Sequence, residues 1–239
     1  MNRPAITALI TIQENRTDLS LRDANFKEFD GRHLYRLMIE KLLAVKAISH
    51  IAITTDSDKV KQICGGTSRM SFIDMPNPDM MSDDNSVNVL EELPTSDLIT
   101  SNSLKKVQGE HFLQTQCVNP LLTIKTIEEV IERYYEYVLN DEYKQFDSVM
   151  SLSRVDKRLY DSSDYPTITL RDNPHYVIYE DTVFNVFNRS AFVRNGNKKF
   201  GKNPMFFEVP EIENLTVETH AGYELAKLVY NNRESLLKK

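Results

Sequence analysis

Apolar and polar positions along this chain follow the order expected of strands separated by helices. A short apolar run at 5–12 predicts a first strand, and a helical segment, RHLYRLMIEKLLAV, comes after it. One face of that helix is apolar at the spacing of an α-helix: Leu34, Tyr35, Met38, Ile39 and Leu42. A strand at 50–54, a helix at 56–64 and a strand at 72–74 continue the alternation. Strands joined through helices run parallel, so the pattern predicts a layered α/β domain.

The most informative stretch is FLQTQCVNPLL, residues 112–122. Its apolar start continues a strand that Pro120 must end, because proline has no N–H for the sheet ladder and holds the preceding residue extended. Ligands of open α/β sheets bind beyond the carboxyl ends of strands. The polar residues at this end are therefore candidate ligand contacts: Gln114, Thr115, Gln116 and Asn119. The alternative is that these groups only cap the next helix and satisfy the backbone of the loop.

That next helix is predicted to open at Thr126, with Glu129 completing a capping box. Its apolar face has helical spacing: Ile127, Val130, Ile131, Tyr134 and Val138. A core strand follows at 146–152, and a closing helix is predicted at 220–236.

Two parts of the chain differ from this alternation. Residues 75–110 are rich in Asp, Asn, Ser and Pro, and predict a loop-rich excursion with a short helix at 87–93. Residues 154–210 are richer in aromatic, Asn and turn residues, and predict a β-rich insertion that forms an arm or an interface. The expected organisation is an α/β domain from 1–153, the insertion, and a returning helical segment at 211–239.

Composition and charge exclude several classes of function. With 41% hydrophobic and 27% charged residues the chain is typical of a globular protein, and its net charge of -6 argues against nucleic acid as the partner. Cys64 and Cys117 have neither disulfide nor zinc spacing, which favours a reducing, cytoplasmic setting. The apolar run at 5–12 is too short to span a bilayer, so no membrane partner is expected.

The order of the segments resembles the cytidylyltransferases that activate acidic sugars, the acylneuraminate and related CMP-sugar synthetases. The similar segments run through nearly the whole chain in the same order as in that family: TALITIQEN, NFKEFDGRHLYRLMIEKLL, HIAITTDSDKV, FLQTQCVNPLLTIKTIEEVIE, FDSVMSLSRV, YEDTVFNVFNRSAF, FGKNPMFFEV and TVETHAGYELAKLV.

The resemblance implies a three-layer α/β/α Rossmann-type domain with a mostly parallel sheet, and a β-rich segment that forms a homodimer. It implies transfer of CMP from CTP to the anomeric hydroxyl of an acidic sugar, with release of pyrophosphate and help from Mg²⁺. Such chemistry needs positive cover for the triphosphate, carboxylates for the metal and a pocket that aligns the hydroxyl.

The loop after the first strand departs from the family pattern. The family has glycines and a lysine there, whereas this chain has no glycine between Thr11 and Asp30. Arg16 and Arg22 are then the expected catalytic cations, in place of the lysine. The resemblance places further nucleotide contacts here at Ile12, Asn15, Ser20 and Asn25. Five acids against three bases between Glu14 and Asp30 leave open the alternative of a solvated acidic loop.

The remaining expected site residues also come from the resemblance. Thr216 and Glu218 stand where the family has an Asp-x-Asp metal motif, and the alternative is that Thr216 or Thr219 only caps the last helix. Thr55 and Asp56 match nucleotide contacts, although Asp56 or Ser57 is also a candidate helix cap. The expected substrate contacts are Gln114, Thr115, Asn119, Tyr179 and Glu180.

Two functions therefore remain open from the sequence. One is a divergent CMP-sugar synthetase that uses CTP and an acidic sugar. The other is a catalytically inactive homologue that keeps the fold and a binding or structural role. A nucleotidyltransferase with another base is a weaker third.

Overall fold

The computed structural model describes residues 3–16, 18–76, 95–140, 142–155 and 177–236. Seven strands form one central sheet: β1 (Ile6–Ile12), β4 (Ile48–Thr55), β5 (Met70–Asp74), β6 (His111–Thr115), β7 (Ser148–Val155), β8 (Val177–Asn188) and β9 (Pro204–Glu208). A small hairpin is formed by β2 (Glu28–Phe29) and β3 (Arg32–His33). The described helices are α1 (Leu34–Ala44), α2 (Asp58–Cys64), α3 (Thr95–Lys106), α4 (Ile124–Tyr134), α5 (Arg189–Arg194) and α6 (His220–Leu236).

The strand order in the sheet is β5-β4-β1-β6-β8-β7-β9. Strand β8 is antiparallel to both of its neighbours, and the other neighbouring pairs are parallel. Helices cover both faces. Apolar residues of α1, α4 and α6 belong to one core cluster, and residues of α3 and α5 belong to the cluster on the other face. The prediction of a layered α/β fold with a mostly parallel sheet is confirmed.

The apolar faces predicted for two helices are confirmed as well. All five predicted side chains of α1 are buried, and so are all five predicted for α4 and its π-helical extension, Tyr135–Leu139. Helix α6 begins and ends where the sequence predicted, at His220 and Leu236. Among the described residues, no helix is long and apolar enough to cross a bilayer.

The start of α4 corrects the predicted capping box. Thr123, rather than Thr126, is the N-cap, and its hydroxyl accepts a hydrogen bond of 3.2 Å from the backbone N–H of Thr126. The carboxylate of Glu213 holds Thr123 in place, accepting from its backbone N–H at 2.9 Å. Because Thr126 lies inside the first turn, its side chain is buried instead of capping.

Helix α3 was missed, because residues 75–110 were expected to be loop-rich. Its sequence, TSDLITSNSLKK, has few apolar positions, and Thr100 and Ser103 fit the helix by donating to the carbonyls four residues earlier, at 2.7 and 2.8 Å. These hydrogen bonds let polar residues that normally favour turns remain within the helix. The short helix predicted at 87–93 lies outside the described residues.

The predicted insertion at 154–210 is not a separate unit in its described part. Strands β8 and β9 belong to the central sheet, and both faces of β8 are buried at Val183, Phe184, Val186 and Phe187. The expected boundary at 153/154 falls within β7, whereas Tyr179, near the start of β8, is exposed, so the arm stays a prediction. Residues 156–176 lie outside the described residues, and the role in dimerisation stays a prediction.

Candidate nucleotide and substrate cavity

A cavity of about 360 Å³ opens at the carboxyl ends of β1 and β6. These strands are parallel neighbours, so their ends meet at one edge of the sheet, where ligands of such folds bind. Its lining comes from both strands, the loops that follow them and four more distant segments: Thr11, Gln13, Arg16, Asp18, Leu19, Ser96, Ile99, Gln114, Thr115, Gln116, Asn185, Lys199 and Glu218.

One wall of the cavity is built on the loop that follows β1, and Arg16 is its cation. The Arg16 guanidinium, 13% exposed, donates to Gln116 Oε1 at 3.2 Å and forms a two-point ion pair with Asp18, with Nε 2.9 Å from Oδ1. Burial alone would lower the pKa of Arg16, but the hydrogen bond to Asp18 and the charges of Asp18 and Glu218 raise it above its ordinary value. In return, Arg16 lowers the pKa of Asp18. The wall therefore carries a permanent cation whose charge is largely offset by its own loop.

Backbone hydrogen bonds hold this loop without the help of glycine. The Arg16 N–H donates to the carbonyl of Arg22 at 2.7 Å, which closes the loop on itself. The carbonyl of Glu218 accepts from the Leu21 N–H at 3.0 Å and from the Ser20 hydroxyl at 3.1 Å. The loop is thereby fixed against the segment that precedes α6.

A second cation, Lys199, lines the cavity from another part of the chain, the segment between α5 and β9. Lys199 is 8% exposed, and its ammonium lies 3.5 Å from Ser96 Oγ and 3.7 Å from Glu180 Oε1. Its backbone N–H donates to Asp97 at 3.3 Å, in the first turn of α3, where burial raises the pKa of the Asp97 carboxyl. Sequence reasoning missed Lys199, because only the fold brings the segment after α5 beside α3.

Two amide side chains on neighbouring strands also line the cavity. Gln114 of β6 and Asn185 of β8 are paired in register, so their side chains share one face of the sheet. The Oε1 atom of Gln114 and the Oδ1 atom of Asn185 are buried and accept no hydrogen bond from the protein. Asn185 was also missed. The signal available was an amide inside the apolar alternation of VIYEDTVFNVFN.

The structure brings five of the predicted residues to the cavity: Arg16, Gln114, Thr115, Gln116 and Glu218. The hydroxyl of Thr115 is already committed, since it donates to the carbonyl of Val183 at 2.8 Å. Glu180 reaches the cavity indirectly, through its contact with Lys199.

The other predicted residues of the first loop lie outside the lining. Ile12 is buried in the core. Asn15 and Arg22 are exposed, and Arg22 meets the loop through its backbone carbonyl rather than its side chain. Ser20 anchors the loop, and Asn25 is buried, donating to the carbonyl of Gln13 at 3.1 Å.

Thr55 and Asp56 serve the local structure at the end of β4. The hydroxyl of Thr55 accepts from the Ser57 N–H at 3.1 Å, and the carboxylate of Asp56 accepts from the Glu14 N–H at 3.0 Å. Ser57, one of the two predicted caps, is the N-cap of α2. A contact of Thr55 or Asp56 with nucleotide stays a prediction.

Asn119 and Tyr179 also lie outside the lining, with Asn119 buried and Tyr179 half exposed. Cys117, beside Asn119, is buried, and burial raises the pKa of its thiol, so it is not poised as a nucleophile.

The two predicted metal ligands, Thr216 and Glu218, differ in their position relative to the cavity. Glu218 lines the cavity and Thr216 does not. Thr219 caps α6, accepting from the Gly222 N–H at 2.9 Å, which is one of the two alternatives for this segment. In the part of the chain that the structure describes, no group of three or more His, Cys, Asp or Glu side chains is arranged to hold a metal ion.

Comparison with known proteins identifies the family of the chain. The sequence profile of the cytidylyltransferase family matches residues 21–208, most of the chain. The chain belongs to the cytidylyltransferase family. No curated protein matches it.

Three solved structures share the fold of this chain. A 4-diphosphocytidyl-2C-methyl-D-erythritol synthase from Anaerococcus prevotii aligns with a TM-score of 0.65 and 12% identity, over 95% of this chain and 96% of that one. A CMP:2-keto-3-deoxy-manno-octonic acid synthetase complexed with CTP aligns with a TM-score of 0.64 and 12% identity, over 96% and 99%. The bifunctional IspDF from Campylobacter jejuni aligns with a TM-score of 0.62 and 10% identity, over 92% of this chain and 53% of its own length. At these identities the likeness concerns the fold.

Proposed function

We propose that this protein transfers CMP from CTP to an acidic sugar and releases pyrophosphate. The observation that carries the proposal is the cavity at the strand ends, which is lined by two cations from different segments, Arg16 and Lys199, and by two amides with unfilled acceptors. Two separate cations suit two anionic ligands, a triphosphate and a carboxylate. The structural neighbour complexed with CTP supports the choice of nucleotide.

In the proposed reaction, the sugar hydroxyl attacks the α-phosphorus of CTP. The new bond joins the hydroxyl oxygen to the α-phosphorus, the bond to the β-phosphate bridging oxygen breaks, and pyrophosphate carries away that electron pair. Arg16, once turned from Asp18, offers a planar guanidinium that can bind two phosphate oxygens at once. The hydroxyl proton passes to solvent or to a carboxylate of the cavity.

The residues of the cavity fit Mg²⁺ only if the nucleotide supplies some of the ion's ligands. Asp18 is engaged by Arg16 through both of its oxygens, so Glu218 is the carboxylate that would hold the ion. When bound, Mg²⁺ would offset charge that develops on the phosphates.

A thermal-shift series with CTP, UTP, ATP and GTP, each with and without Mg²⁺, tests the nucleotide. Pyrophosphate release with several acidic sugars then tests turnover. We expect a shift that is selective for CTP and larger with Mg²⁺, followed by release that depends on an acidic sugar. Equal shifts with all four nucleotides, or no shift with any, would contradict the proposal.

The inactive homologue is the second candidate, and the pairing of Arg16 favours it. In this structure the guanidinium is held by Asp18 and Gln116, and the loop has neither the glycines nor the lysine of the family pattern. That protein would bind CTP or a sugar and release no pyrophosphate with any acidic sugar tried.

A further inference from the structure

We propose that Lys199, Asn185 and Gln114 together form the acceptor pocket, in which Lys199 binds the carboxylate of the sugar and the two amides bind its hydroxyls. This assignment rests on the proposed function and adds to it the residues that select the acceptor. It also separates the roles of the two cations, with Arg16 left for the nucleotide.

The first step of the argument is the unused hydrogen-bonding capacity of Lys199. An ammonium has three N–H donors, and its two described neighbours, Ser96 Oγ and Glu180 Oε1, lie at 3.5 and 3.7 Å. These distances are longer than those of a normal hydrogen bond. A buried ammonium held so loosely gains from an anionic oxygen that enters the cavity.

The second step concerns the amides. Asn185 is only 3% exposed, and its Oδ1 atom, like Oε1 of Gln114, is a buried acceptor without a donor in the protein. A buried acceptor left unfilled costs free energy, and a ligand that supplies hydroxyl donors removes that cost. Because the two residues are paired across β6 and β8, two neighbouring hydroxyls of one ligand can reach them together.

The third step is the fit to the acceptor rather than to the triphosphate. Glu218 lines the cavity and contributes to the charge around Arg16, so it is available to a metal-bound triphosphate there. In sugars derived from 2-keto acids, the anomeric carbon bears both the carboxylate and the hydroxyl that attacks. A cation that fixes the carboxylate therefore orients the reacting hydroxyl as well.

Binding measured without turnover tests this assignment. The probes are 2-keto-3-deoxy-manno-octonate and N-acetylneuraminate, each paired with its neutral methyl ester, titrated by calorimetry with and without a non-hydrolysable CTP analogue. The wild-type protein is expected to prefer at least one acid over its ester. Lys199→Met should weaken binding of that acid about tenfold or more and abolish the preference, while binding of the CTP analogue stays within about twofold.

The amides have a different expected signature. Asn185→Leu should weaken the acid and its ester equally, by about fivefold, because it removes a hydroxyl contact and not the charge. Gln114→Leu, on the adjacent strand, is the second variant if Asn185→Leu does not fold. Lys198→Met, at the exposed neighbouring lysine, is the matched control and should bind all probes as the wild type does.

Three results would overturn the assignment. They are a wild type that binds no acidic sugar better than its ester, a Lys199→Met variant that keeps the preference, and a Lys199→Met variant that loses the CTP analogue instead. The last result would make Lys199 a phosphate contact. If the wild type prefers the acid over its ester but releases no pyrophosphate, only the proposed catalysis is refuted.

Discussion

The two walls of the cavity hold their cations in opposite ways. Arg16, on the loop after β1, is locked in a two-point ion pair with Asp18 and a hydrogen bond to Gln116. Among the described residues, Lys199 has long contacts to Ser96 and Glu180, and the same cavity is lined by two amides whose oxygens accept no hydrogen bond there. One wall is internally satisfied and the other is incomplete without a ligand.

This difference indicates that the two ligands meet different energetic conditions. A carboxylate at Lys199 finds donors that are already oriented, so little must be rearranged. A phosphate at Arg16 must first displace Asp18 or share the guanidinium with it. An exposed ion pair costs only about 0.2–1 kcal/mol to break, so the competition weakens nucleotide binding without preventing it.

The largest effect on this comparison is expected from removal of the Arg16 charge. Arg16→Met should weaken CTP binding by about tenfold or more, because charge-assisted hydrogen bonds to phosphate are lost, and should leave the preference for acid over ester intact. Calorimetric titration with CTP in Mg²⁺ buffer measures it. Arg36→Met, at an exposed arginine of α1, is the control. An Arg16→Met variant with unchanged CTP affinity would remove Arg16 from the nucleotide site.

A smaller effect, of opposite sign, is expected from release of Arg16. Asp18→Asn keeps the shape of the side chain and removes its charge, so the guanidinium becomes free for phosphate. We expect CTP to bind about threefold tighter, in keeping with the modest strength of an exposed ion pair. If Asp18→Asn instead weakens CTP binding, Asp18 is a ligand of the metal–nucleotide complex and not a competitor.

The sequence identified one wall of the cavity better than the other, and the reason is physical. Arg16 follows a strand and Glu218 precedes a helix, at places that a linear pattern can recognise, and both line the cavity. On the wall of Lys199 the pattern recognised only Gln114 and Thr115, at the end of a strand. Lys199 lies in a segment with no periodicity, and reaches the cavity only because that segment contacts α3.

The same reasoning applies to the fold. The alternation of strands and helices predicted the sheet, because apolar periodicity reports burial directly. It missed α3, whose buried side chains include Asp97, Thr100 and Ser103, and it took β8 for part of an insertion. Buried polar residues and an antiparallel strand within a parallel sheet are set by tertiary contacts, which a local pattern does not contain.

The smallest expected effect is the pH dependence of the Arg16 wall. The hydrogen bond from Arg16 lowers the pKa of Asp18 below its ordinary value of 3.8. The Asp18 carboxylate therefore binds a proton less readily in the folded protein than in the unfolded chain. The pair therefore stabilises the fold fully above about pH 4, and its contribution is lost as the pH falls through the lowered pKa. Urea unfolding at neutral pH should give the wild type a free energy of unfolding higher than that of Asp18→Asn by less than about 1 kcal/mol, since Asp18 is exposed. As the pH is lowered from 7 to 3, the two free energies should converge. A constant difference across that range would mean that Asp18 stabilises the loop through something other than its titratable charge, and that Arg16 is not held there by charge.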